Sequence, residues 1–253
     1  MQLHLHEWGD PAAPALVCLH GVSAHGRRFR KLAEEQLATR YHVVAPDLRG
    51  HGRSGWEPPW DIETHVEDVL ESVAAAGIER ALWIGHSFGG RLVLELGARR
   101  PELIEQAVLL DPAIQLLPNV GLDLAEDARR DEAYETLEAA IAAGLTVRTT
   151  TPLEFVEEDV REHLELGSDG LHRPRYCRSA VVTMYSELCT PPPPVERLRA
   201  AILLVYAPDF GLVRDDQLEE YRAAGAEILA VSGGHVVYWD AWDETVAAID
   251  RFL

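Results

Sequence analysis

Short runs dominated by apolar residues, Leu16–Leu19, Tyr41–Ala45, Ala81–Ile84, Ala107–Leu110, Ile202–Tyr206 and Ile228–Val231, alternate with segments whose apolar positions recur at helical spacing. The helical segments lie near 27–38, 61–76, 88–100, 214–224 and 239–252. A strand with no polar face must be covered on both sides, which is the condition of a mostly parallel sheet flanked by helices. In the second helical segment Ile62, Val66, Val69 and Val73 fall on one face, and Asp61 stands where an N-cap belongs. Met1–Glu7 alternates apolar and polar residues, as a half-exposed strand does.

The alternation breaks over residues 113–195, which carry no clear strand but two acidic helical stretches, 122–143 and 152–166. This segment reads as an inserted helical cap, dividing the chain into a core of residues 1–112 and 196–253 and an insertion of 113–195. Pro191-Pro192-Pro193-Pro194 cannot be helical and reads as a stiff spacer returning the chain to the sheet at Ile202.

With 253 residues and 47% hydrophobic content, the chain can bury one large core. The formal charge of -19 argues against a nucleic-acid partner and against docking on anionic lipid. A neutral, partly apolar small molecule is the expected substrate. No apolar run approaches the roughly 18 residues of a membrane span, and no secretory leader is visible at the N-terminus, so stable membrane insertion is not expected and a cytoplasmic location is. Cys18, Cys177 and Cys189 are odd in number and widely spaced, which suits free thiols in a reducing compartment.

The chemistry concentrates at Gly85-His86-Ser87-Phe88-Gly89, followed by Gly90. An apolar strand ends here and a helix begins at once, so the chain must reverse in a very tight turn. Glycines on either side allow that turn and leave Ser87 at its apex, with the helix N-terminus behind it. Five residues of this kind are a weak signal alone; the strand before and the helix to Arg100, closed by Pro101, strengthen it.

Three further stretches accompany the serine turn: Leu19-His20-Gly21-Val22 after the first buried strand, Asp47-Leu48-Arg49-Gly50-His51-Gly52-Arg53-Ser54 after the next, and Gly233-Gly234-His235 before the last helix. Together and in this order they resemble the α/β-hydrolase family over nearly the whole chain outside the insertion. With a serine-type elbow and a helical insertion the chain is most similar to actinobacterial esterase or lipase members. The resemblance implies an α/β-hydrolase fold, no cofactor and no metal. His20 and His25 lie on a loop without a carboxylate or cysteine at metal-ligand spacing, and the glycine-rich Asp47–Gly55 stretch lacks the Gly-Lys-Ser/Thr of a nucleotide loop. A structural role, tying loops together, is expected for Asp47 and Arg49.

On this reading Ser87 is the nucleophile and His235, in its glycine-rich turn, the base. Asp209, after the strand Ile202–Tyr206, is the expected acid and gives the family's Ser, Asp, His order. The family's glycine-led loop is replaced here by Ala207-Pro208-Asp209-Phe210-Gly211, and Asp111, after Ala107–Leu110, is the rival. The backbone amides of Val22 and Phe88 are the expected oxyanion donors. Cleavage of a carboxylic ester through an acyl-enzyme is the favoured reaction. Carbon-carbon bond hydrolysis, lactone opening, thioester cleavage, perhydrolysis and a small-molecule receptor of the same fold remain open. Serine at 87 excludes chemistry that needs a carboxylate nucleophile there.

Overall fold

Nine strands are present in the computed structural model, which describes residues 1–253. They are β1 (Leu5–Trp8), β2 (Ala15–Leu19), β3 (His42–Pro46), β4 (Ala81–His86), β5 (Ile104–Leu110), β6 (Leu164–Leu166), β7 (His172–Pro174), β8 (Ala201–Tyr206) and β9 (Glu227–Ala230). Seven form one sheet in the order β1-β3-β2-β4-β5-β8-β9. Only β1 is antiparallel to its neighbour; the other pairs are parallel. All six apolar runs are strands of this sheet, so the protein has the α/β-hydrolase fold that the sequence led us to expect.

Strand residues point alternately to opposite faces, and each face has its own core. Val17 and Leu19 of β2, Trp83 of β4 and Ala107 and Leu109 of β5 pack on one side with the helix Ile62–Ala75. Leu16, Cys18, Leu82, Ile84, Val108 and Leu110 pack on the other with Phe29, Tyr238 and Ile249. Each fully buried Leu or Val stabilises the fold by about 2 kcal/mol, and a sheet covered on both faces doubles the number of such positions. The helix Ile62–Ala75 starts where its cap predicts: the Asp61 carboxylate accepts the Thr64 amide at 2.7 Å.

Between β5 and β8 lie the helices Pro118–Ala128, Leu137–Val147, Leu153–His163 and Arg178–Glu187. Here the sequence reading needs correcting in three places. The stretch 122–143 is two helices rather than one, residues 164–166 and 172–174 form a short antiparallel hairpin, and the helix Arg178–Glu187 was not foreseen. The segment is tied to the sheet at its base by Arg91. Arg91 belongs to the helix Phe88–Arg99 and is buried; its guanidinium donates to the carbonyls of Ile114, Thr190 and Pro191, joining the chain where it leaves the sheet to the chain where it returns.

Candidate functional site

Ser87 sits at the junction of β4 and the helix Phe88–Arg99 with φ 54° and ψ -117°, a conformation an L-residue holds only when its surroundings impose it. The surroundings do. The Ser87 amide donates to Leu110 O at 3.1 Å, and its carbonyl accepts from the amides of Gly90 and Ala113, both at 3.0 Å. The turn also needs close backbone approach: a Cβ on Gly89 would fall 2.0 Å from Leu19 O. Ser87 is 7% exposed and lines a cavity of about 410 Å³.

His235 lines the same cavity. Its Nδ1 donates to Asp111 Oδ2 at 2.6 Å, leaving Nε2 without a partner in the chain. Asp111, at the end of β5 next to the serine strand, is fully buried and has φ 40°. Its other oxygen accepts the Ala207 amide at 3.2 Å. The expected partner of His235 is therefore displaced. Asp209 is exposed, lines the cavity and makes no hydrogen bond to the imidazole. The reason is geometric: the backbone turns at Asp111 under β8, which points its carboxylate into the sheet edge, whereas Ala207-Pro208 carries Asp209 outward. The 207–211 loop contributes in two other ways, through the Ala207 amide and through Phe210, whose ring stacks on the His235 imidazole at 4.7 Å with 12° between planes.

Two further imidazoles position the loop 20–23. His20 Nδ1 donates to Gly21 O at 2.8 Å while its Nε2 accepts the Leu48 amide at 2.9 Å. With both ring nitrogens occupied, His20 has no ligand atom to offer a metal. His51 Nε2 accepts the Ser23 amide at 3.3 Å and its Nδ1 donates to Arg49 O at 3.0 Å. Gly21 lies so close to the nucleophilic turn that an added Cβ would meet Ser87 Cβ at 2.8 Å, which places the following amide, that of Val22, beside the serine. The Val22 amide makes no hydrogen bond within the chain, and Phe88 stands at the first helical position after Ser87. His86 links the two halves of the site, donating from Nε2 to His235 O at 3.0 Å. Burial, reinforced by the neighbouring His235, holds the His86 pKa well below its ordinary value.

Asp47 and Arg49 tie loops together, as expected of them near the site, though neither lines the cavity itself. Asp47 accepts the amides of Gly26 and Arg53, and Arg49 makes a two-pronged pair with buried Asp68. His4, His6 and Asp47 have ligand atoms within 4.8 Å of one another, but the Asp47 carboxylate is already committed to those amides and to His6. These groups do not line the cavity.

A mostly parallel sheet carrying a strained serine, an imidazole and a buried carboxylate along its carboxyl edge defines the class: a hydrolase fold with a serine at its strand-to-helix turn. Comparison with known proteins gives the family. A model of the Alpha/beta hydrolase family matches residues 16–248, and the chain belongs to that family. It is 32% identical to lipase LipV of Mycobacterium tuberculosis over 99% of this chain and 97% of that protein. To the 3-hydroxybutyrate-oligomer hydrolase of Cupriavidus necator it is 36% identical over 66% of this chain and 59% of that protein. Among solved structures, an E-2-(acetamidomethylene)succinate hydrolase superposes with a TM-score of 0.90 at 22% identity, covering 99% of this chain and 94% of that one. No helix is long and apolar enough to cross a membrane.

Proposed function

We propose that the protein is a serine hydrolase that cleaves a carboxylic ester through an acyl-enzyme. The observation that carries this reading is the 2.6 Å hydrogen bond between His235 and buried Asp111 in the cavity that Ser87 lines. Ser87 Oγ attacks the ester carbonyl as His235 Nε2 takes its proton, and the same nitrogen returns the proton to the departing alcohol. Asp111, in the role first expected of Asp209, fixes the tautomer that leaves Nε2 free and stabilises the imidazolium. The amides of Val22 and Phe88 bind the oxyanion, and one such donor is worth about 3 kcal/mol in the transition state. Water then attacks the acyl-serine by the reverse route. The segment 113–195 serves as the cap that shapes the pocket. Similarity to a protein named as a lipase favours ester over carbon-carbon chemistry.

The test is Ser87→Ala. Turnover of p-nitrophenyl acetate should fall at least about 10³-fold with an unchanged circular dichroism spectrum, and a fluorophosphonate probe should label the native protein at Ser87 alone. Undiminished turnover by the variant removes Ser87 from the mechanism.

A further inference from the structure

The cavity at Ser87 presents polar and apolar groups together. Of its 17 lining residues only four, Val22, Val147, Phe210 and Val236, are apolar, and one wall is the run Arg148-Thr149-Thr150-Thr151. An alkyl chain there would strip polar groups of water without replacing their hydrogen bonds. Unmatched donors are among them. Arg28 gives Nε and Nη2 to Asp159, both at 2.7 Å, and its Nη1 has no acceptor. Arg148 gives only Nη1 to the same carboxylate, at 2.7 Å, leaving Nε and Nη2 free. Two guanidiniums thus share one anion. Two further carboxylates face the cavity: Asp240 accepts from the Thr151 hydroxyl and the Val236 amide, and Asp209 is exposed.

Both arginines, with Ser23, also line an adjoining recess of about 120 Å³. His163 forms part of its wall, 5% exposed, with neither ring nitrogen hydrogen-bonded. The one other acid there, Glu132, has its two oxygens occupied by the hydroxyls of Tyr134 and Tyr176 at 2.8 and 2.9 Å.

We propose that this recess is a carboxylate-binding subsite, and that the substrate is a short ester whose acyl part ends in a carboxylate, the half-ester of a dicarboxylic acid. The free N–H groups of Arg28 and Arg148 hold that carboxylate while the ester carbonyl lies at Ser87; this rests on the hydrolase reading above. Guanidinium forks match carboxylates in shape as well as charge. A site built of donors favours a ligand that brings the acceptor over an analogue that lacks it. The expectation of a neutral, partly apolar substrate is replaced by that of an anionic one.

Two measurements test the subsite. The first compares kcat/KM for the p-nitrophenyl half-esters of succinate, glutarate and adipate with neutral p-nitrophenyl esters of matched chain length. At least one half-ester should be preferred tenfold or more, and Arg148→Met should bring that ratio close to one while Arg148→Lys keeps part of it. A native preference for the neutral esters, or a ratio that Arg148→Met leaves untouched, overturns the proposal. The second titrates the three free diacids into Ser87→Ala by calorimetry. Binding that Arg148→Met weakens at least tenfold supports the subsite even if no ester is turned over, which would count against the hydrolase reading alone. Absence of binding by any diacid together with absence of half-ester preference overturns the subsite and leaves the hydrolase reading standing on the neutral esters.

Discussion

One carboxylate oxygen of Asp111 takes the Ala207 amide and the other the His235 imidazole, so the side chain cannot turn without breaking both contacts. Asp111→Asn keeps the shape but replaces an acceptor of the Nδ1 proton with a group that can favour the wrong tautomer. Ester turnover is expected to drop by about 10³- to 10⁴-fold. Asp209→Asn, at an exposed position, should stay within about threefold of the native rate; steady-state kinetics of the two variants distinguish the acids. That Ser87 and His235 would meet in one cavity was legible in the sequence because glycines flank each in a short, distinctive turn. The acid was not. Asp111 and Asp209 both follow apolar strands that end at the same sheet edge, and which of them faces the imidazole depends on the backbone bend at each. Asp111, before Pro112, takes φ 40°, a backbone conformation that residue types alone do not announce. That bend, with the Ala207 amide waiting across β8, is a property of three dimensions, and the Asp-Pro pair beside the nucleophile strand was its only trace in the sequence.

At the scale of elements, the elbow works because strand, turn and helix fit against the loop after β2 with no space to spare. Gly89→Ala would drive a Cβ to 2.0 Å from the Leu19 carbonyl, backbone against backbone, where no side chain can swing aside. The variant should lose about 3 kcal/mol of stability, read as a lower denaturant midpoint. The inner strands β2, β3, β4 and β5 were legible because they are covered on both faces and so are largely apolar, and β1 because its apolar and polar residues alternate. The inserted segment was less so. The helix beginning at Pro118 ends at Ala128 because the following residues are claimed by the hairpin of β6 and β7: Asp131 binds Arg173, and Tyr134 exchanges backbone hydrogen bonds with His172 at 2.8 and 2.9 Å. Local periodicity carries no information about such distant claims. The helix Arg178–Glu187 was missed because its ten residues mix apolar and polar positions without a clean stripe.

For the whole molecule the notable property is how many imidazoles are buried within an acidic protein. His20, His51, His65, His86 and His163 are all 5% exposed or less. Burial pushes each below its ordinary pKa, to about 4 for His51 and about 3 for His65. The unfolded chain binds protons at these residues near pH 6.5 while the folded one resists, so stability is constant above that value and falls as pH drops from about 6.5 toward 4. At pH 5.5 each such residue costs about 1 kcal/mol. Melting temperatures should match at pH 7.5 and 7.0 and decline steeply below 6.5; a flat profile down to pH 5 would contradict this account.

The grip of Arg91 on Ile114, Thr190 and Pro191 has a consequence for how such a protein changes over generations. Because both stems of the inserted segment are cinched at one buried point, whatever lies between them is a cassette with a fixed mouth. Its helices can drift, lengthen or be exchanged while the rim of the sheet keeps its contour, so selection can retune what enters the pocket without rebuilding the groups that wait at the bottom of it.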